Sequence, residues 1–484
     1  EVDERDYLSL LAGINPFMSA YTLDRGERFE TPKFLFTYSA DGRGTVSRNF
    51  HDWARRYGLH AGTKERPILL NSWEGAYFDF DEQILTNMMD DAAELGVELF
   101  VLDDGWFGNK YPRNSATMGL GDWQVNEKKL PRGIQYLIDH ATSKGLKFGI
   151  WIEPEMVNPK SELAERHPEW IVQSPGREQI TMRNQLLLDL TNPDVQEFVW
   201  NVVDKLLSTY PDIYYIKWDA NRHVEQVGSP YLLPEEQMHF WVDYIRGLYR
   251  VYDRIRAKYP DVMLQACASG GGRVDYGSLP YHDEFWTSDN TDALQRVYMQ
   301  YATNLIYPPV ATASHVSASP GHQTGSITPL KFRFDVAMSG RLGLELQPKD
   351  IPAEEMAFAR EAIANYKTHI RELVTKGDLY RLISPYECTN NHAANMLVRK
   401  DKSKAVLFAY CTGFNRRGIR PTVHLHGLDA SKRYRITEIN KTGKRKAFWG
   451  EGHIYDGAYL RQVGIELQIA RQYDSAVFLL EEVK

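Results

Sequence analysis

The segment Tyr214-Tyr215-Ile216-Lys217-Trp218-Asp219-Ala220-Asn221-Arg222 places a lysine, a carboxylate and an amide at alternate positions, at the end of an aromatic and β-branched run. Such a run reads as a buried strand. Side chains two apart on a strand share a side, so Lys217, Asp219 and Asn221 are expected to face one space. A cation beside a carboxylate favours the ionised form, the form in which a carboxylate attacks as a nucleophile. A structural salt bridge is the plainer reading of an isolated Lys-x-Asp, and the company it keeps must decide.

That company is rich in carboxylates. Predicted strand ends carry Asn71 and Trp73, then Asp103 and Asp104, then Trp151, Glu153 and Glu155, then Cys267 and Ser269, and finally Asp289. Acidic side chains are rarely buried without partners, so packing alone does not call for them. Glycoside hydrolysis does, with one carboxyl group as acid and a second as nucleophile or base. Asp219 takes the nucleophile's role. Within Phe285-Trp286-Thr287-Ser288-Asp289-Asn290-Thr291-Asp292, Asp292 reads as the cap of the next helix. Asp289 directly follows the strand, with Trp286 near enough to lower local polarity and raise a carboxyl pKa.

Asp103-Asp104 admits three readings: a metal pair, a clamp for sugar hydroxyls, or a turn. Adjacent carboxylates on a strand diverge, which disfavours a shared ion, and His424-x-His426 lies far down the chain. No metal and no cofactor is expected. Carboxylates beside tryptophans suit a sugar, since the acids accept hydroxyl hydrogen bonds. The run Cys267-Ala268-Ser269-Gly270-Gly271-Gly272-Arg273 lacks P-loop spacing; it leaves close approach to a neutral ligand, or a plain tight turn. His223, His282, His315 and His322 read as structural.

To bring these groups together, strands and helices alternate from about residue 66 to 345. Strands are predicted at Ile68–Ser72, Glu98–Leu102, Lys147–Ile152, Ile213–Trp218, Val262–Ala266, Glu284–Thr287 and Val310–Ser314, with an eighth around Ala337–Leu344. Ile84, Met88, Ala92 and Leu95 share a helix face that stops at Gly96; another helix runs from Gly133 to Lys144; Asn192-Pro193 opens a third. The alternation predicts an α/β fold, a closed (β/α)₈ TIM-like barrel with its site at the C-terminal strand ends. A doubly wound open sheet is the alternative, without a G-x-G-x-x-G to support it. A long helix, Ala353 to Thr375, precedes short alternating segments at Met396–Arg399, Ala405–Cys411, Thr422–Leu425, Tyr434–Ile439 and Ser475–Leu480, which predict an antiparallel β-sandwich. The expected division is 1–65 (turn-rich, with a strand-like Lys33–Tyr38), 66–350 barrel, 351–377 connecting helix and 378–484 β-sandwich.

With 484 residues, 43% hydrophobic and 25% charged, the chain has ordinary globular composition. The net charge of −7 argues against nucleic acid as a partner, and the short basic tract Lys441–Lys446 reads as a solvated hairpin. No apolar stretch reaches the roughly 20 residues of a membrane span. The three cysteines, Cys267, Cys388 and Cys411, form no disulfide framework. A cytoplasmic location fits them, as does a periplasmic or secreted one after removal of a signal peptide.

Five motifs in order, namely Lys217–Arg222, Leu102-Asp103-Asp104-Gly105-Trp106-Phe107-Gly108, Gly149-Ile150-Trp151-Ile152-Glu153-Pro154-Glu155-Met156, Cys267–Arg273 and Ser288-Asp289-Asn290-Thr291-Asp292, resemble the α-galactosidases of glycoside hydrolase family 36. The resemblance runs from about residue 20 to the end. It implies an exo-acting, retaining hydrolase that releases terminal α-galactose through a covalent galactosyl-enzyme, with Asp219 as nucleophile and Asp289 as acid/base. It further implies that Asp103 and Asp104 bind the galactose 4- and 6-hydroxyls, that Trp151, Arg183, Lys217 and Asn221 line the sugar site, that Cys267 with Ser269, Gly270 and Gly271 approaches the 2-hydroxyl, and that Trp73 forms an aromatic wall. Ala220 stands where methionine is usual, and Cys-Ala-Ser-Gly-Gly-Gly where many members have Cys-Ser-Gly-Gly-Gly-Gly; both bear on aglycone and 2-position specificity. Family members carry a large N-terminal β-supersandwich, of which residues 1–65 resemble the tail, and tetrameric members share sites between neighbours, so a homo-oligomer falls within the expectation. The same fold also hosts α-N-acetylgalactosaminidases and galactosyl transferases. A carbohydrate-binding fragment with impaired catalysis is the alternative from another class.

Overall fold

Eight short parallel strands close into a barrel between Leu69 and Glu345 in the computed structural model, which describes residues 5, 7–387, 391–414, 418–443 and 446–483. They are β1 (Leu69–Asn71), β2 (Leu99–Leu102), β3 (Lys147–Ile152), β4 (Ile213–Trp218), β5 (Met263–Ala266), β6 (Glu284–Trp286), β7 (Thr312–Ser317) and β8 (Arg341–Glu345). Each pairs with its sequence neighbours, and β8 closes on β1 through Leu69↔Gly343 and Leu70↔Leu344. Leu70, Phe100, Ile150, Ile216 and Leu264 are fully buried beneath the surrounding helices. Each such side chain contributes about 2 kcal/mol by leaving water. The opposite strand faces fill the lumen. There Tyr215, Gln265 and Arg341 all hydrogen-bond the buried Glu284, a polar plug starting at the first residue of β6.

Local signals place the helices. Asp81 caps α1 (Glu82–Leu95) by accepting from Ile84 N at 2.8 Å, and Gly96 ends it in the left-handed conformation at φ 89°. Next comes α2 (Gly133–Ser143). Asn192 caps α3 (Pro193–Thr209), its Oδ1 accepting from Asp194 N at 2.9 Å. After α4 (Phe240–Lys258) the alternation breaks: among the described residues β5 and β6 are joined by a 3₁₀ turn, Leu279–Tyr281, and no α-helix. Helices α5 (Ala293–Thr303), α6 (Leu330–Ala337) and α7 (Ala353–Asn365) complete the ring.

Four expectations need correction. Ala337 ends α6 and does not open a strand; the eighth strand starts four residues later, at Arg341. The seventh starts at Thr312, because Pro309–Ala311 form a 3₁₀ turn. Lys33–Tyr38 forms no strand, Phe36 and Tyr38 are exposed, and the first helix begins at Arg43. The long helix is interrupted by a π-type stretch at Tyr366–Ile370 before resuming at Arg371–Lys376.

Beyond Gly377, β9 (Asp378–Ile383), β10 (His392–Val398), β11 (Lys404–Cys411), β12 (Arg433–Ile439), β13 (Ile454–Asp456) and β14 (Ser475–Glu482) form an antiparallel sheet in the order β9-β10-β11-β14-β12-β13. A two-stranded ladder, Thr422–Val423 with Ile465–Glu466, and the helix Gly457–Gln462 supply a thin second layer over one core. The other sheet face packs on the barrel, where buried Asp335 of α6 accepts from Ser475 Oγ (2.7 Å) and Asn440 Nδ2 (3.1 Å). Cys388 and the Lys444-Arg445 part of the basic tract lie outside the described residues. Among the described residues no helix is long and apolar enough to cross a membrane.

Candidate active site

At the C-terminal strand ends a pocket is lined by Trp73, Asp103, Asp104, Trp151, Arg183, Lys217, Asp219, Asn221 and Asp289, nine of the residues expected there. Trp286 also lines it, together with groups that sequence reasoning missed or set aside: Glu74, Tyr77, Phe78, Arg113, Gln185, His322, Gln323 and Glu345.

Asp219 follows β4 directly and is 6% exposed. Three N–H groups converge on its carboxylate: Trp151 Nε1 donates to Oδ2 at 3.1 Å, Asn221 Nδ2 to the same oxygen at 2.7 Å, and Ala220 N to Oδ1 at 2.9 Å. Trp151 is itself locked by Trp106, whose indole donates to the Trp151 carbonyl at 2.9 Å, and by Phe107, parallel to it within 4°. Lys217 faces the same space, but its ammonium donates to Asp103 Oδ2 at 2.8 Å. The expected Lys217–Asp219 pairing is thus replaced by one across the barrel. Burial alone would lower the Lys217 pKa; Asp103, Cys267, Glu345 and Asp219 around it hold it well above the usual value.

Asp103 and Asp104 diverge as neighbours on a strand must. Asp103 Oδ2 also takes Asn71 Nδ2 at 2.6 Å, whereas Asp104 is gripped by Arg113, with Nη2 to Oδ2 at 2.8 Å and Nε to Oδ1 at 3.0 Å. Each carboxylate is therefore fixed by a different cation, and both present an edge to the pocket. Among the described residues no group of three or more His, Cys, Asp or Glu side chains is arranged to hold a metal.

Asp289 occupies the facing wall. Its side chain is 40% exposed; Trp286 Nε1 donates to Oδ1 at 3.1 Å and Arg183 Nη1 stands 3.9 Å from Oδ2. Burial of its inner side first, and the Asp219 carboxylate second, raise its pKa. Trp286 acts against the sense expected of it, because its N–H stabilises the ionised form. Asp292 caps α5, with Oδ1 accepting from Gln295 N at 3.0 Å, as its spacing predicted.

Asn221 joins the walls. Its Oδ1 accepts from Arg183 Nη1, Ser269 N and Ser269 Oγ, each at 3.0 Å. Ser269 meets the pocket through these contacts. The glycines that follow serve protein packing: a Cβ on Gly270 (φ 91°) would sit 2.5 Å from Ser288 Cα, and one on Gly271 would sit 3.0 Å from Thr287 O. Cys267 and Gly270 border a second cavity behind this loop, lined also by Trp218, Tyr252 and His282. Glu153 and Glu155, expected at the mouth, are fully buried behind it. Past them, Met156–Val157 leaves the barrel sheet and pairs antiparallel with Leu186–Leu187.

The chain matches the Melibiase family over residues 28–377 and the glycosyl hydrolase family 36 C-terminal domain over residues 392–480. It is 42% identical over 446 residues to alpha-galactosidase AgaA of Geobacillus stearothermophilus, covering 92% of this chain and 60% of that protein. It is 40% identical over 482 residues to alpha-galactosidase C of Emericella nidulans, covering 97% of this chain and 61% of the other. The crystal structure of the Geobacillus enzyme superposes with a TM-score of 0.91 at 41% identity, over 97% of this chain and 63% of that one; a variant of it in complex with raffinose gives the same TM-score at 40% identity. The chain thus spans about three fifths of the length of the curated relatives it matches.

Proposed function

The chain belongs to the melibiase family, glycoside hydrolase family 36, and from that premise we propose that it is a retaining, exo-acting α-galactosidase. The observation that carries the reading is one pocket with two carboxyl groups in opposite circumstances: Asp219 buried among three donors, Asp289 half-open with its pKa raised. In the first step the Asp219 carboxylate attacks the anomeric carbon while Asp289 gives its proton to the departing glycosidic oxygen, leaving a β-galactosyl ester on Asp219. In the second, Asp289 takes a proton from water, which attacks the same carbon and releases Asp219; two inversions retain the α configuration. Asp103 and Asp104, each held by its own cation, accept hydrogen bonds from the galactose 4- and 6-hydroxyls, and Trp73 covers an apolar face of the sugar. Raffinose-type oligosaccharides are the substrate class, in keeping with the complexes formed by the relatives.

The test is turnover of an aryl α-galactoside by Asp219→Ala, with product configuration followed by NMR in the wild type. A loss of about 10⁴-fold or more is expected, with α-galactose as the first product. Near-wild-type turnover by the variant, or β-galactose first, would refute the assignment.

A further inference from the structure

The two buried glutamates behind the pocket, Glu153 and Glu155, keep opposite company. Glu155 is an anion with every need met: Arg273 donates through Nη2 to Oε1 (2.7 Å) and Nη1 to Oε2 (2.9 Å), Trp218 Nε1 donates to Oε1 (2.8 Å) and Tyr244 OH to Oε2 (3.0 Å). Glu153 has neutral amides instead. Asn221 N donates to its Oε1 and Gln185 Nε2 to its Oε2 at 2.8 Å. The charges that face it are the Asp219 and Asp104 carboxylates and the Arg113 guanidinium, and that guanidinium is already committed to Asp104. A carboxylate with no counter-ion in a dry site costs several kcal/mol, so the group keeps its proton. Burial first, then Asp219, push its pKa up to about 8.

Gln185 carries the second observation. Its Oε1 is buried with no hydrogen-bond partner, although the residue lines the sugar pocket and its amide already meets Glu153. Turning that amide over would place Oε1 where Nε2 now sits, as the acceptor for a Glu153 O–H. The pair therefore has two matched states, differing by one proton and one amide orientation. Asn221 is the link outward, since its backbone N–H seats on Glu153 while its side chain holds Asp219, Arg183 and Ser269.

We propose that Glu153 is a positioning residue acting as a neutral acid: it accepts from Asn221 N beside the nucleophile, its proton, shared with Gln185, spares Asp219 a further anion behind it, and loss of that proton weakens the sugar site. The proposal rests on the α-galactosidase reading for the identity of the sugar. With the proton on, Glu153 adds no charge to the Asp219 and Asp104 carboxylates that face it; with the proton gone, a further anion stands behind Asp219.

Infrared difference spectra between about pH 6 and about pH 9.5 read the proton directly. The wild type should lose a protonated-carboxyl band with a midpoint near pH 8, absent from Glu153→Gln; Asp219→Asn, which removes the opposing anion, should move that midpoint down. Calorimetry with galactose should show affinity falling several-fold over the same interval in the wild type and staying level in Glu153→Gln. A loss near pH 8 of undiminished amplitude in Glu153→Gln, a midpoint that ignores Asp219→Asn, or equal pH dependence of galactose binding in wild type and variant would overturn the proposal. Hydrolysis is read separately on an aryl α-galactoside at about pH 6, where its absence would count against the glycosidase reading alone.

Discussion

The two walls of the pocket are built differently. On the β3–β4 side, Asp219 is buried at the residue directly after a strand and takes three N–H donors from residues that are themselves packed and bonded. On the β6 side, Asp289 sits on a loop past the strand end, with one indole donor and open solvent on its outer flank. On the proposed mechanism, the group that must be ionised to attack is surrounded by donors, and the group that must give and retake a proton is left half-open to solvent. Fold and chemistry agree, because strands fix atoms more tightly than loops and a proton carrier needs a path to water.

Substitutions can break or sharpen that contrast. After the loss expected of Asp219→Ala, the largest effect should come from Asp289→Ala on an oligosaccharide with a poor leaving group, about 10²- to 10⁴-fold in kcat/KM. For an activated aryl galactoside the same variant should lose little in kcat/KM, because departure needs no proton. Asp219→Ala should abolish both, and an equal split for the two variants would erase the distinction between the walls. Trp151→Phe removes one of three donors to Asp219, and steady-state kinetics should show kcat/KM falling about 10- to 100-fold. Trp286→Phe removes the one N–H that favours ionised Asp289. Its already raised pKa should climb further, moving the alkaline limb of the rate profile to higher pH. The smallest effect is Asp292→Ala, which uncaps α5 at about 1 kcal/mol; calorimetric melting should drop by about 1 °C in a chain of this length, with a kinetic loss well short of that for Asp289→Ala.

Much of the site was legible because its residues stand at strand ends, where alternation and the apolar run announce both position and facing. Asp219, Asn221, Asp103, Asp104 and Asp289 were all readable in this way. What escaped lay in loops or depended on distant partners. Arg113 and Gln185 come from connections without periodicity, and nothing local to Lys217 indicates Asp103, which is brought to it from two strands away. Glu345 was missed because the eighth strand was placed to end one residue early. The glycine loop was legible as a place of close backbone approach, and its immediate neighbours are Ser288 and Thr287, which lead into Asp289. Strand β9 escaped because it abuts the preceding helix with Gly377 alone between them.

The absence of an α-helix between β5 and β6 bears on how the molecule yields to heat. Two paired positions join β5 to β6 and two join β6 to β7, against five between β3 and β4 and five between β7 and β8. With two pairs on each side, β6 is held by the fewest pairings of any strand in the wall, and Asp289 follows it. On warming, amide exchange should quicken first along β5 and β6, and catalytic power should fade while the bulk of the barrel still melts as one unit. Bracing this strand is accordingly the shortest route to a more heat-tolerant catalyst.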